Sequence, residues 1–258
     1  MRIFRQFRAL VRLSLIEQWR RHELFVLVLL SLAVMLPLSL SSPFGDSGAS
    51  RYLDEVALLL IWVFSFFIAL GTGSRLFPPE FDSRTIYPLL AKPISRTRLL
   101  LGKFLGAVVS VYLALAIFYA LFLASVLWRG GAFTVEFAQA FVLHCAFGAL
   151  AVALSIFFSL AFSRGAALTL SSMTIVGMFL FGRRLLQYCQ GVSPVVSWPL
   201  KVVYAVFPHA EFFDMRQRMV HVWGAVDWWV FAAVLGYALL YVLVLLGLSA
   251  LMLKRKRL

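Results

Sequence analysis

The side chains near the end of the chain that could do chemistry are His209, Glu211, Asp214, Met215, Met219 and His221, whose imidazole, carboxylate and thioether groups suit a metal such as copper. Their spacing fits no rigid site, so no metal is expected. A membrane-embedded enzyme or metal-handling protein working around His209–His221 stands as the alternative reading. His144, beside Cys145, has no carboxylate at helical spacing, which makes it a packed or hydrogen-bonded histidine before a general base. The stretch LLLGKF offers Lys103 but neither the leading glycine nor the hydroxyl of a phosphate loop, and no G-x-x-x-x-G-K-[ST] occurs. Cys145 and Cys189 have neither metal nor redox spacing. No catalytic constellation is left, and the chain is expected to bind no cofactor of its own.

Lys103, His144 and Cys145 fall within membrane spans, and the rest lie in the segment between the last two. The chain is 62% apolar and 14% charged with a mean hydropathy of +0.93, far from the composition of a soluble domain. Six runs, 24–40, 54–73, 99–127, 137–162, 166–182 and 228–252, are long enough to cross about 30 Å of hydrocarbon at roughly 1.5 Å per helical residue. The expected fold is all-α, a single polytopic membrane domain over residues 1–258. With both termini in the cytoplasm, 17 of the 24 Lys and Arg face inward against 4 of the 11 acids, as the positive-inside rule requires of a protein in the cell inner (cytoplasmic) membrane. That orientation accounts for the basic excess, so no nucleic-acid partner is expected. The first apolar run lacks a small-residue cleavage site and is expected to stay attached.

Residues 2–19 place Ile3, Phe4, Phe7, Leu10, Val11 and Leu15 on one helical face and Arg2, Arg5, Arg8 and Arg12 on the other, with Glu17 near the end. Such a helix lies in the lipid interface, where it serves either as a positive flank that sets topology or as a contact for a cytoplasmic partner. Asp54 and Glu55 open the second span and would complement its helix dipole. The third span is long, and Lys103 near its cytoplasmic end is placed to snorkel to the headgroups. The short connection around Arg164 makes the fourth and fifth spans an antiparallel hairpin. On the fifth span Gly165, Thr169, Ser172 and Gly177 form a small and polar stripe, suited to packing inside one subunit, to a dimer interface or to a pore wall. Residues 183–227, interrupted by Pro194, Pro199 and Pro208, are expected to cap the outer side as short interfacial helices.

The most polar stretch is PPEFDSRTIYPLLAKPISRTRLLLGK, from Pro78 to Lys103. Within it, 80–91 reads as a short cytoplasmic helix with Glu80 and Asp82 at its start and Phe81, Ile86, Leu89 and Leu90 as its apolar face. Pro93 stops it and Ser95 restarts the chain as the third span. Here the chain resembles the type-2 ABC transporter permeases. Their pattern E-x-x-x-G-T-L-x-x-L-L-x-x-P-[IV]-S-R-x-x-[LI]-L-x-G-K is met by Glu80, Thr85, Ile86, Leu89, Leu90, Pro93, Ile94, Ser95, Arg96, Leu99, Leu100, Gly102 and Lys103. Arg84 stands where that family often has glycine. A P-H-x-E-x-F-D-x-R pattern from Pro208 to Arg216, between the fifth and sixth spans, extends the likeness. The resemblance implies that 80–91, with Arg84, Thr85 and Arg96, is a coupling helix docking on a separate ABC ATPase subunit, which would bind the ATP and Mg. It also implies that two copies of the chain form the pathway of an exporter.

The charge split makes a direct prediction. In a chain whose own cysteines are replaced, a cysteine at Ser47 labels from outside the cell, whereas cysteines at Ser83 and Lys256 do not. Outside labelling at Ser83 overturns the topology.

Overall fold

Hydrocarbon offers a backbone no water, so its N–H and C=O groups must be satisfied within the segment itself, and a helix does this. The computed structural model describes residues 47–82, 95–190, 193–221 and 223–255, with isolated positions 11, 12, 16, 29, 32 and 33. Among the described residues every regular element is helical: α1 Ser47–Ser74, α2 Pro78–Asp82, α3 Arg96–Trp128, α4 Val135–Ala161, α5 Arg164–Gln190, α6 Pro194–Val206, a 3-10 turn Ala210–Phe213, α7 Arg216–Val220 and α8 Trp228–Arg255. Five stretches are long and apolar enough to cross a membrane, namely Arg51–Ser74, Arg96–Trp128, Val135–Ala161, Arg164–Gly182 and Trp228–Arg255. These are five of the six expected spans. The sixth, 24–40, lies outside the described residues apart from Leu29, Leu32 and Ala33, each helical. The interfacial helix 2–19 lies outside them too, apart from Val11, Arg12 and Ile16.

α4 is the axis of the bundle. It packs against α1, α3, α5 and α8, and against the 3-10 turn and α7 at one end. Its sequence explains why, because the buried positions Ala140, Gly148, Ala151, Ala153, Ser155 and Ser159 are small and let neighbouring backbones close in. A Cβ on Gly73 of α1 would stand 2.7 Å from the Ser155 Cβ and 2.9 Å from the Val152 carbonyl oxygen, so only glycine fits that crossing. The Ser155 hydroxyl donates to the Leu70 carbonyl at 3.0 Å across the same contact. On the α3 side a Cβ on Gly148 would stand 2.9 Å from a methyl of Val111. Larger side chains, among them Phe77, Phe118, Phe147 and Phe213, fill the remaining space and are fully buried.

The connections follow local chemistry. Ser95 caps α3, its hydroxyl accepting from the Arg98 N–H at 3.3 Å, so the chain restarts where the sequence places a cap. At 33 residues α3 is about 50 Å long, longer than the hydrocarbon is thick, as expected of a tilted or protruding helix. Phe162 and Ser163 alone separate α4 from α5, which makes the expected hairpin. α5 then runs on to Gln190 through residues 183–190, which contain neither Pro nor Gly, past the end at 182 expected for the fifth span. Asp54 differs from expectation. α1 begins upstream at Ser47, so Asp54 is past the first turn, and its carboxylate pairs with Arg129 at the end of α3.

The α1–α4 crossing is tested by adding bulk. Gly73→Val should destabilise the purified protein by about 1–3 kcal/mol, since the new atoms meet backbone. Gly236→Ala, where no atom lies within 4 Å of the added Cβ, should be neutral or slightly stabilising. Thermal unfolding in detergent measures both, and equal effects would show that the crossing is loose.

Candidate functional site

The segment between α1 and α3 begins as a turn against the bundle. The Leu76 and Phe77 side chains are buried, Phe77 completely. Pro78 and Pro79 then open α2, where a missing N–H costs nothing. Phe77 and Phe81 stack with ring centroids 6.0 Å apart, and the Phe81 N–H donates to the Phe77 carbonyl at 3.1 Å. Glu80, Phe81 and Asp82 therefore stand on a short helix hung from a buried aromatic. Arg84, Thr85, Ile86, Leu89, Leu90 and Pro93 lie outside the described residues. Arg96 occupies the first turn of α3, and its guanidinium donates to the carbonyls of Leu253 at 2.8 Å and Lys254 at 3.3 Å, at the end of α8.

Lys103 corrects the sequence reading. It does not snorkel outward. Its side chain is 8% exposed, and its Nζ donates to the Leu76 carbonyl at 2.7 Å while lying 5.0 Å from the centroid of the Phe77 ring. Carbonyls just past the end of α1 offer a nearer partner than the headgroups do. A sequence shows a lysine one or two turns into a span but not which way it folds.

The opposite end of the bundle is closed by the chain from 193 to 227. Gln139 of α4 holds the Val226 backbone with its side-chain amide, donating to the carbonyl and accepting from the N–H, each at 2.8 Å. The Pro208–Arg216 pattern is a plug. Phe213 is buried against Phe147, the Glu211 carboxylate lies against Gly182 of α5, and Arg216 makes a two-pronged pair with Asp214 at 2.8 and 2.9 Å. The Arg216 guanidinium also faces the Trp62 and Phe179 rings at 5.7 and 5.8 Å. The His209 N–H donates to the Tyr237 hydroxyl of α8 at 2.9 Å, and its ring sits 4.1 Å from that of Tyr204. Burial holds the His209 imidazole below its ordinary pKa, partly offset by a hydrogen bond to the Tyr204 backbone.

These groups are held by separate partners. Asp214 is engaged by Arg216, His221 stacks on Trp223, and Met215 is buried in the core. Among the described residues no three His, Cys, Asp or Glu side chains converge. A cleft of about 240 Å³ opens between α1, α3, α4 and α7, floored by Leu58, Phe122 and Phe137, with Asp54, Glu136 and Arg218 at its edge. It is smaller than the roughly 300–1,000 Å³ of drug-sized sites. Within α4, His144 is buried with Nε2 2.7 Å from the Ser65 hydroxyl and Nδ1 3.3 Å from the Tyr119 hydroxyl, so it joins three helices as a hydrogen-bonded core residue.

The α5 stripe faces away from the bundle. Gly165 and Thr169 are exposed and Ser172 and Gly177 half-buried, whereas Ala167, Ser171, Ile175 and Met178 make the buried face. Nothing lies within 4 Å of a Cβ placed on Gly165 or Gly177. Sequence reasoning missed Arg129 and Gln139. Each is a polar group at the edge of an apolar run, which was the available signal.

Five helices long and apolar enough to cross a membrane, tied to one another by polar contacts at both ends, define a polytopic membrane protein. Residues 15–258 match the family model described as ABC-2 family transporter protein, and the chain belongs to that family. It is thus the membrane subunit of an ABC transporter. No curated protein matches the chain.

The cap carries a pH prediction. The His209 pKa is lowered in the folded protein, so its contribution to cap stability is complete above the unfolded value of 6.5 and is lost as pH falls below it. Hydrogen-exchange protection factors across 204–213, corrected for intrinsic exchange, should therefore fall between about pH 7 and about pH 5, and His209→Gln should flatten that dependence. An unchanged profile in the variant would remove His209 as its source.

Proposed function

We propose that the chain forms, with a second copy of itself, the translocation pathway of an exporter in the cytoplasmic membrane. Separate ABC ATPase subunits bind the ATP and Mg and drive it. Both termini face the cytoplasm, and the interfacial helix with Arg5, Arg8, Arg12 and Glu17 rests on lipid beside the ATPase. The observation that carries this reading is the polar segment between α1 and α3. It opens after buried Phe77 with α2, and α3 begins after Ser95, at the end that also carries Lys254 and Arg255.

Hydrolysis on another subunit can move these spans only through a contact whose energy differs between two states. The segment 80–91 supplies one, with Phe81, Ile86, Leu89 and Leu90 as the docking face and Glu80 and Asp82 as charges at the helix start. Arg84, Thr85 and Pro93 shape its course. The chain's lack of a phosphate loop agrees with this division of labour. The outward-facing α5 stripe of Gly165, Thr169, Ser172 and Gly177 supports the pairing of two copies, since small residues let helices approach closely.

The test is the double variant Glu80→Lys with Leu89→Asp. It places a carboxylate in the apolar docking face at a cost of a few kcal/mol and reverses the charge at the helix start. Insertion should be unaffected. Co-purification of the ATP-binding subunit should fall, or its hydrolysis should no longer respond to the membrane subunit. Normal association and normal hydrolysis would reduce the segment to an ordinary loop.

A further inference from the structure

Both ends of the coupling segment are fastened by cations that project from one helix. Arg96 and Lys103 stand two turns apart on α3, close enough in helical phase to share a side. Lys103 reaches back to the Leu76 carbonyl at 2.7 Å, two residues past the end of α1, and its amino group lies over the Phe77 ring from which α2 hangs. Arg96 reaches sideways to the Leu253 and Lys254 carbonyls, the last turn of α8. In each case a cation meets carbonyls at or just past the C-terminal end of a helix, where the dipole favours it. Burying a lysine is costly unless it is held, so its 8% exposure marks a place where the hydrogen bond is kept for what it joins.

We propose that Lys103 and Arg96 are positioning residues that make α3 the common anchor of the coupling segment, so that a displacement delivered to α2 moves the ends of α1, α3 and α8 as one body. The inference rests on the reading of the chain as an ATPase-driven membrane subunit. Lys103 fixes the upstream end of the segment to α3, and Arg96 fixes its downstream end to α8. Without the first clamp, α2 would swing on a free turn and the push would not reach α1. Without the second, α8 would not follow α3.

The transporter assembled with its ATP-binding subunit in lipid nanodiscs provides the test. Spin labels go on lipid-facing positions, Phe67 of α1 with Leu105 of α3, and Leu105 with Leu251 of α8. With the labels in one copy of the assembly only, each pair in the wild-type chain should give one narrow separation, the same without nucleotide and with ATP trapped. Lys103→Met, which keeps the apolar stem, should lose the narrow peak for Phe67–Leu105 only. Arg96→Gln should lose it for Leu105–Leu251 only. General loosening would broaden both pairs in each variant and overturns the proposal, as do variant distributions identical to wild type or wild-type separations that change between states. If Lys103→Met does not insert, the wild-type comparison between states and Arg96→Gln still decide. A wild-type chain that binds no ATP-binding subunit defeats the transporter reading instead, while the pair-specific broadening without nucleotide still judges the clamps.

Discussion

How closely other helices can approach α4 governs the described bundle. In lipid there is no hydrophobic force to press helices together, so association depends on close van der Waals contact and on hydrogen bonds between helices. α4 supplies both. Its small residues admit Gly73 of α1 and the Val111 methyl of α3 to contact distance, and Ser155 adds a hydroxyl bridge to Leu70. The consequence shows in burial: the most apolar window of α4 is 61% buried, that of α8 only 17%. α8 gives α4 a single narrow face and leaves Leu239, Leu243 and Leu251 pointing outward, as a helix at the rim of a membrane bundle does.

A second constraint shapes the two ends. Helix termini expose backbone groups that lipid cannot satisfy, and several described polar residues at the two ends satisfy them or one another. At one end Lys103 and Arg96 donate to carbonyls beyond α1 and at the end of α8. At the other, Gln139 holds Val226, Asp54 meets Arg129, and Asp214 meets Arg216.

Much of this was legible in the sequence. Five of the six apolar runs read as spans are helices among the described residues, because nothing but length and apolarity is needed to define a span, and the sixth, 24–40, lies almost wholly outside them. Ser95 was readable as a cap, the Arg164 connection as a hairpin, and His144 as a core residue, since each rests on local chemistry. The family likeness seen between Glu80 and Lys103 extends over residues 15–258. What escaped was pairing across the chain. Asp54 looked like a helix-start acid because its partner Arg129 is distant in sequence and α1 begins earlier than the apolar run does. Lys103 looked like a snorkelling lysine because outward and inward rotamers leave the same trace in a sequence. The side chains that Ser65 and Tyr119 lend to His144 come from two other helices, and periodicity along α4 carries no sign of them.

The central claim is that ATP-driven work enters this chain through the segment that starts at α2. The most direct measurement places a photo-crosslinking amino acid at Phe81 on that helix, and separately at exposed Trp223 on the plugged end, in the assembled transporter. The account predicts a crosslink to the ATP-binding subunit from Phe81 that changes when ATP is trapped, and none from Trp223. A crosslink from Trp223 with none from Phe81 would contradict it.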